Sequence, residues 1–339
     1  MIGIRVNANE KIAMGHLMRC MSVAQQLAKT GRTVLFILSE PYAKQLVLEN
    51  GFACICLSRI YEQRETELPE LVALVRQKGI SCLLIDAYDL SLRYMQELRQ
   101  ICKTVYIDDL KHFEYPADLL VNYTCDIAAT QELRKDVSKK YLLGMRYAPL
   151  REEFSSDGIR IREQAEQMLI TTGGTDAYNM TAGVLTAGSG ILKLKKHAVS
   201  GKFCHHLPTL QAMAKSDDSL QVYHDIPDIY RVMKNCDLAV SAGGGTLAEL
   251  CACGVPTVCF AVADNQLPGI RTYVDAGIML YAGDVRQNRE GVIRKVIESV
   301  ELLAGDYEKR KDMSRKGKRF VDGKGARRIA MEITKLIGE

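Results

Sequence analysis

The stretch "AMGHLMRC" places a histidine and an arginine three positions apart, directly behind a glycine. The apolar residues that follow recur at helical spacing, which predicts a helix that begins at Gly15 and carries His16 in its first turn. At that end the helix dipole disfavours an imidazolium, so a histidine stays neutral and can accept a proton. Arg19 lies on the same helical face, where its charge acts in the same direction and could also hold a phosphate. His16 is therefore either a general base or a polar residue at the surface end of a helix.

Three glycines follow an apolar strand in the stretch "LAVSAGGGTLAEL". Gly243, Gly244 and Gly245 turn the chain, and Thr246 then opens a helix that contains Glu249. In such a turn backbone N–H groups come close to an anion, and the helix N-terminus adds about half a positive charge. This arrangement favours a diphosphate, and the alternative is a tight turn without a ligand. The pattern is neither a Walker loop nor Gly-x-Gly-x-x-Gly, which disfavours P-loop kinases and nicotinamide dehydrogenases.

Other polar residues follow predicted strands and could reach the same ligand. In "LITTGGTDAYN", Gly173 and Gly174 offer further N–H groups, while Asp176 either caps the next helix or holds a hydroxyl. In "VADNQ", Asn265 and Gln266 either contact a sugar or phosphate or are ordinary loop residues. These positions at strand ends are where parallel sheets bind ligands.

Short aliphatic segments alternate with longer amphipathic ones along the chain, a pattern typical of parallel sheets covered by helices on both faces. The length of 339 residues favours two domains. We therefore predict an α/β fold with two Rossmann-like, doubly wound domains that face a cleft, with ligands at the carboxyl ends of the strands. Asp86 and Tyr88, at the strand end in "LLIDAYDL", face that cleft, where the tyrosine ring either stacks on a base or covers the sheet edge.

An interruption containing proline, serine and glycine marks the expected domain boundary. Pro149 and the segment from Ser155 to Gly158 break the alternation of strands and helices. Residues 1–150 are predicted to form an N-terminal domain with the histidine motif, and residues 151–322 a C-terminal domain with the triple glycine. Residues 323–339 are predicted to form an amphipathic helix that could cross back to the N-terminal domain.

Composition and charge exclude several classes of protein. Hydrophobic residues make up 47% and charged residues 25% of the chain, an ordinary globular balance. The formal net charge is only +4, so no nucleic-acid partner is expected, and the densest basic run, "KRKDMSRKGKRF", is typical of a solvated helix face. Eleven cysteines lie scattered in apolar segments without zinc-ligand spacing, which indicates a reduced, cytoplasmic protein without a bound metal. Neither a signal peptide nor a membrane span is expected.

Five segments together resemble the PseG-type UDP-sugar hydrolases, a family often called SpsG-like. They are "IRVNANEKIAMGHLMRCMSVAQQLAKTG", "LLIDAYDL", "GMRYAPLREEF", "ITTGGTDAYN" and "SAGGGTLAELCACGVPTVCFAVADNQ", in the order seen in that family. The family is similar in fold to the GT-B glycosyltransferases, and the second half of this chain also resembles MurG. The resemblance implies that water replaces UDP on UDP-2,4-diacetamido-2,4,6-trideoxy-β-L-altropyranose or a related UDP-sugar, in the biosynthesis of pseudaminic acid or a related surface polysaccharide, without a required metal or other cofactor.

The resemblance also implies roles for single residues. His16 would be the base that activates water, Gly15 would permit close approach of the substrate, and Arg19 would support the site electrostatically. The C-terminal domain would bind the UDP part of the substrate. The diphosphate would be held by Gly243, Gly244, Gly245 and Thr246. Glu249 would bind a ribose hydroxyl or orient the loop, and Asn265 and Gln266 would contact the sugar side. In the N-terminal domain, Tyr88 would face the reacting centre.

The chain departs from the family pattern at three places. The family commonly has Arg-x-Asp in the first strand and its loop, but here Asn7 follows Arg5 and Val6. Ala87 stands before the tyrosine where many members have a polar residue, and Gly-x-Gly-His becomes Ala-Met-Gly-His. These departures leave open which acid works with the histidine. The alternatives to a hydrolase are a GT-B glycosyltransferase that passes the sugar from a UDP-sugar to an acceptor, and a nucleotide-sugar binding protein without activity.

Overall fold

The structure is a computed structural model. It describes residues 1–9, 14–57, 59, 65–88, 90–108, 115–123, 140–156 and 159–338. Of the residues used above, 10–13, 89, 157, 158 and 339 lie outside the described residues.

The chain divides into two compact units. Unit 1 comprises Met1–Glu152 together with Lys324–Glu339, and unit 2 comprises Glu153–Gly323. The sequence-based boundary lies at residue 150, and the units divide after residue 152. Each unit is built on its own parallel sheet.

Unit 1 contains a seven-stranded sheet in the order β3-β2-β1-β4-β5-β6-β7. Its strands are β1 (Ile2–Val6), β2 (Val34–Leu38), β3 (Ala53–Cys56), β4 (Cys82–Asp86), β5 (Lys103–Ile107), β6 (Leu119–Asn122) and β7 (Lys140–Leu143). The helices between them are α1 (Gly15–Lys29), α2 (Lys44–Glu49), α3 (Leu68–Gln77) and α4 (Leu92–Arg99), with short 3₁₀ helices at Pro41–Ala43 and Met145–Tyr147. All the paired strands run parallel, and the strand order reverses between β1 and β4.

Alternate residues of the central strands face two different cores. Ile4 and Leu84 pack with Leu17 of α1 on one side of the sheet. Leu83 and Ile85 pack on the other side, with residues of α3 and α4. This alternation is the period of two expected of a strand that is covered on both faces. It also turns the last residue of β4 toward the side of α1.

Unit 2 contains a six-stranded sheet in the order β10-β9-β8-β11-β12-β13. Its strands are β8 (Gln167–Thr171), β9 (Lys195–Ser200), β10 (Leu220–His224), β11 (Leu238–Ala242), β12 (Thr257–Ala261) and β13 (Met279–Asp284). Its helices are α5 (Met180–Ala187), α6 (Leu207–Ser216), α7 (Ile229–Asn235), α8 (Thr246–Cys253), α9 (Leu267–Asp275), α10 (Val285–Gly305) and α11 (Tyr307–Phe320), with 3₁₀ turns at Glu152–Ser155 and Asp264–Gln266. The pairs are again parallel, and the order reverses between β8 and β11.

The final helix, α12 (Gly325–Leu336), belongs to unit 1 and packs against α1. Ile329 and Ile333 are fully buried in the same core as β1. The helix starts against the chain at Ala148, where a Cβ on Gly325 would lie 2.1 Å from the carbonyl oxygen. Only glycine permits this close approach.

The two sheets confirm the predicted fold class of two Rossmann-like domains. In each, the carboxyl ends of the strands beside the reversal lie together, which is where an open α/β sheet binds ligands. Among the helices that the structure describes, none has the length and apolar character needed to cross a membrane.

Candidate active site

His16 lies at the carboxyl edge of the unit 1 sheet, in the first turn of α1. The last residue of β1, Val6, pairs with Asp86 at the end of β4. Both strands therefore deliver the following residues to one edge of the sheet. His16 is 8% exposed, and the space beside Gly15 is open, because no described atom lies within 4 Å of the position that a Cβ would take.

A buried carboxylate joins His16 to Arg19. Asp86 Oδ1 lies 2.7 Å from His16 Nδ1. Arg19 donates from Nε to Asp86 Oδ2 at 2.6 Å and from Nη2 to Oδ1 at 2.5 Å. Arg19 Nη2 also lies 2.9 Å from His16 Nδ1. We refer to these three side chains as the His16–Asp86–Arg19 cluster.

The carboxyl group of Asp86 is ionised despite its burial. Burial disfavours the charged form, but the charge of Arg19, its hydrogen bonds and the contact with His16 outweigh that effect. The pKa of Asp86 consequently lies well below its usual range. An ionised, buried acid beside a histidine is an arrangement that can orient a general base.

Two tyrosines and a cysteine complete the surroundings. The ring of Tyr88 packs edge-on against His16, with 4.6 Å between the ring centroids. The hydroxyl of Tyr123, directly after β6, accepts a hydrogen bond from Arg19 Nη1, and its ring lies 5.6 Å from the guanidinium carbon. Cys20 donates from Sγ to Asp86 Oδ2 at 3.4 Å. These contacts limit the movement of His16 and of the Arg19 guanidinium.

Arg19 contacts both the carboxylate of Asp86 and a tyrosine hydroxyl. Its hydrogen bonds with Asp86 and Tyr123 use donors on all three guanidinium nitrogens. Its charge is balanced by the carboxylate of Asp86, so its attraction for a phosphate is weaker than that of a guanidinium without a counter-charge. Arg19 is therefore a member of the cluster, and its contact with a phosphate stays a prediction.

Asn7, which stands where the family commonly has an aspartate, supports the adjoining loop. Its Nδ2 donates to Ser39 Oγ at 3.2 Å, and its Oδ1 accepts from Ser39 N at 2.8 Å. Ser39 in turn hydrogen-bonds Arg5 and Glu67, a fully buried ion pair with a 2.5 Å contact. The acid beside the candidate base comes from the end of β4 instead.

In unit 2 the three glycines of the turn after β11 have different surroundings. A Cβ on Gly243 would lie 2.5 Å from Ile270 Cδ1 and 3.1 Å from Gln266 Cβ, so any side chain here would have to displace Ile270. No described atom lies within 4 Å of a Cβ on Gly244 or Gly245, and both are exposed. The N–H groups of Gly243 and Gly244 donate to Phe260 O and Ala242 O. Among the described residues, Gly245 and Thr246 are therefore the positions at which the start of α8 can offer N–H groups to an anion.

The second glycine turn, after β8, lies beside the first, because Thr171 pairs with Ser241. Gly173 has a φ of 83°, which favours glycine, and the positions that a Cβ would take on Gly173 and on Gly174 are open. Asp176 is a helix cap: its Oδ1 accepts from Met180 N at 2.8 Å and its Oδ2 from Thr181 N at 3.1 Å. Since it is only 5% exposed, we assign it to capping and not to a hydroxyl of a ligand.

The remaining predicted ligand contacts lie around the same edge of the unit 2 sheet. Thr246 and Glu249, on the first turn of α8, are partly exposed. Asn265 is exposed after β12. Gln266 uses its amide oxygen to accept a hydrogen bond from Val262 N at 2.9 Å, which leaves its amide nitrogen as the group to offer to a ligand.

Two members of the site were not predicted in these roles from the sequence. The sequence places Asp86 at a strand end but does not pair it with His16. The doubly wound strand order is the signal that could have found it, because that order sets the end of the fourth strand beside the loop after the first. Tyr123 has no such signal, since it simply follows a short strand far along the chain.

Comparison with known sequences places the chain among distant relatives, and no family model matches it. The spore coat polysaccharide biosynthesis protein SpsG of Bacillus subtilis is 20% identical over 97% of this chain and 96% of that protein. The UDP-2,4-diacetamido-2,4,6-trideoxy-beta-L-altropyranose hydrolase of Campylobacter jejuni is 23% identical over 72% of this chain and 85% of that protein. The uncharacterized protein MJ1062 of Methanocaldococcus jannaschii is 24% identical over 76% of this chain. The matched region spans only 54% of the length of that protein.

Solved structures with a similar fold include glycosyltransferases and UDP-N-acetylglucosamine 2-epimerases. MurG of Acinetobacter baumannii superposes with a TM-score of 0.71 at 13% identity, over 98% of this chain and 99% of that chain. The spinosyn rhamnosyltransferase SpnG complexed with thymidine diphosphate has a TM-score of 0.67 at 14% identity, over 99% and 100% of the two chains. The chain therefore has the GT-B fold of these structures and is distantly similar in sequence to SpsG and to the altropyranose hydrolase, the relatives that its motifs resemble.

Proposed function

We propose that the protein is a nucleotide-sugar hydrolase that releases UDP from a UDP-sugar, with His16 as the base that activates water. The observation that carries this proposal is the contact of His16 with the ionised carboxylate of Asp86 at 2.7 Å. Two relatives support the class of substrate, because one is named as a hydrolase of a UDP-sugar and the other as a protein of polysaccharide biosynthesis.

The proposed reaction is a single displacement at the anomeric carbon. The water oxygen attacks this carbon while His16 takes a proton from the water. The bond from the anomeric carbon to the oxygen of the β-phosphate breaks, and its electron pair leaves with UDP. The configuration at the carbon inverts. Because UDP is already a good anionic leaving group, the protein needs mainly one base and donors for the diphosphate.

We assign the nucleotide to the carboxyl edge of the unit 2 sheet. The Gly244 N–H already donates to Ala242 O at 2.8 Å, so Gly245 and Thr246 at the start of α8 are assigned to supply N–H groups for the diphosphate, and Gly244 leaves space for it. Thr246 offers a hydroxyl to the same group, and Glu249 a carboxylate to the ribose. The remaining polar contacts of the substrate are assigned to Gly173, Gly174, Asn265 and Gln266.

Unit 1 supplies the chemistry in this proposal. Tyr88 lies against the candidate base and is assigned to the reacting sugar. Gly15 leaves the approach to His16 open. UDP-2,4-diacetamido-2,4,6-trideoxy-β-L-altropyranose is the first substrate to test, since the Campylobacter relative is named for it.

The test measures UDP release from a panel of UDP-sugars by wild-type protein and by His16→Ala. We expect the variant to lose about 10²- to 10⁴-fold in kcat, the usual contribution of a general base. His205→Ala, an exposed histidine in unit 2, is the matched control and keeps wild-type activity. Equal UDP release by wild type and His16→Ala on every sugar overturns the role of His16.

Two further results separate the alternatives. UDP release that requires an added acceptor identifies a glycosyltransferase. Tight UDP binding with no turnover of any sugar, with or without acceptor, identifies a binding protein. Product analysis by NMR adds the stereochemistry, and retention of the anomeric configuration contradicts the proposed single displacement.

A further inference from the structure

We infer that Asp86, held in place by Arg19 and Tyr123, is a positioning residue that fixes the hydrogen of His16 on Nδ1 and leaves Nε2 as the proton-accepting atom. This inference rests on the proposed function for its effect on turnover. Its structural content, the tautomer of His16, can be tested without any substrate.

The hydrogen-bonding groups around His16 Nδ1 determine where its hydrogen lies. Asp86 Oδ1 is 2.7 Å away and Arg19 Nη2 is 2.9 Å away. An ionised carboxylate only accepts, so the shorter contact is a hydrogen bond only when Nδ1 carries the hydrogen. Arg19 Nη2 has a second hydrogen besides the one that Asp86 Oδ1 accepts at 2.5 Å, so it competes for the same ring nitrogen. We take the shorter contact, the one with the ionised carboxylate, to decide where the hydrogen lies. A neutral imidazole with its hydrogen on Nδ1 has its lone pair on Nε2.

Arg19 keeps Asp86 charged and correctly turned. It donates to both carboxylate oxygens, and Cys20 adds a weak hydrogen bond to one of them. The hydroxyl of Tyr123 accepts from the remaining terminal nitrogen of Arg19. The guanidinium is therefore fixed from two strand ends, those of β4 and β6.

Tyr88 restrains the imidazole ring itself. The two rings meet edge to face, with 82° between their planes. Rotation of His16 would break both this contact and the one with Asp86. The His16 side chain remains 10% exposed, and Nε2 is the ring nitrogen that the cluster leaves without a hydrogen bond among the described residues. Within the described chain, the titratable groups around His16 are Arg19, Cys20, Asp86, Tyr88 and Tyr123.

The kinetic test uses Asp86→Asn. An amide has only one acceptor oxygen, which Arg19 competes for, so its NH₂ group turns to His16 and favours the wrong tautomer. We expect kcat to fall by about 100-fold or more, with KM within about threefold. The acidic limb of the pH profile moves down by about one unit, because the lost carboxylate leaves the charge of Arg19 unopposed and disfavours the imidazolium.

Matched variants separate positioning from a general loss of stability. Asp118→Asn removes another ion-paired carboxylate of the same sheet, at the amino ends of its strands, and leaves the pH profile of turnover unchanged. Tyr123→Phe is a milder change that removes the acceptor of Arg19, so kcat falls by about 3- to 10-fold with a smaller shift of the same limb. An Asp86→Asn profile that matches wild type overturns the inference.

The decisive test is ¹⁵N NMR of histidine-labelled full-length protein, with His16→Gln to assign the signal among six histidines. We expect neutral His16 to carry its hydrogen on Nδ1 in wild type and to lose that preference in Asp86→Asn. Hydrogen on Nε2 in wild type overturns the inference, even if UDP is released from a sugar. The expected tautomer together with no hydrolysis of any UDP-sugar supports the inference and contradicts the proposed function.

Discussion

At the scale of single residues, the charge of Asp86 is maintained against its burial. The carboxylate is fully shielded from solvent, and Arg19 compensates with two hydrogen bonds at 2.5 and 2.6 Å. The free energy of removing an ion pair from water cancels much of the free energy of its attraction. Loss of one partner leaves the other as a buried charge without a counter-charge. The arrangement is thus better suited to hold His16 in one orientation than to stabilise the fold.

Acid should remove the stability that Asp86 contributes. Its pKa is depressed in the folded protein, whereas an unfolded chain has the ordinary value of about 3.9. The contribution is therefore fully present above the unfolded value and is lost as the pH falls toward the folded one. We expect the difference in free energy of unfolding between wild type and Asp86→Asn, measured in urea, to narrow as the pH falls below about 4. A difference that persists unchanged at about pH 3 contradicts this assignment.

The residues differ in how far the sequence could predict them. His16 stands in a local pattern, a glycine and the first turn of an amphipathic helix, so its position follows from neighbours in the chain. Its partner is 70 residues away, and only the pairing of β1 with β4 brings the two together. Asn7 shows a limit of the same kind. The absence of an acid at position 7 does not predict whether another strand supplies one.

At the scale of elements, the turn after β11 combines a packing requirement with an open surface. Gly243 is pressed against Ile270 of α9, while Gly244 and Gly245 have open space where side chains would be. The sequence predicts the turn, since a glycine triplet between an apolar strand and a helix has few other structures. It does not distinguish the three glycines, because the distinction comes from α9, which follows later in the chain.

This distinction can be tested with two matched substitutions. Gly243→Ala places a methyl group 2.5 Å from Ile270 Cδ1, and we expect it to lower the free energy of unfolding by about 1–3 kcal/mol. Gly244→Ala meets no neighbour and keeps the wild-type unfolding curve. Calorimetric titration with UDP should nevertheless show weaker binding to Gly244→Ala, since its methyl group occupies the space assigned to the diphosphate. Wild-type UDP affinity of Gly244→Ala contradicts that assignment.

At the scale of the whole molecule, unit 1 is completed by a segment that follows unit 2 in the chain. Alternation of strands and helices predicted the two sheets, and the amphipathic pattern predicted the final helix. The core that this helix joins could not be predicted from its pattern alone, because an apolar stripe specifies a buried face but not its neighbour. In the structure Ile329 and Ile333 of α12 lie in the core of β1 and α1.

Stability of unit 1 should depend on this helix. Ile333 is fully buried, whereas Met331 on the same helix is 45% exposed. We expect Ile333→Ala to lower the free energy of unfolding by about 2–5 kcal/mol, and Met331→Ala to change it by less than about 0.5 kcal/mol. Urea unfolding followed by circular dichroism measures both. Equal effects of the two substitutions contradict the packing of α12 in this core.

The place of α12 also has a consequence for the order of folding during translation. Unit 2 is one continuous stretch of chain, Glu153–Gly323, whereas unit 1 needs Lys324–Glu339 as well. The unit whose synthesis starts first is therefore the last to be completed. Until α12 leaves the ribosome, the apolar face of α1 that packs against it lacks its cover.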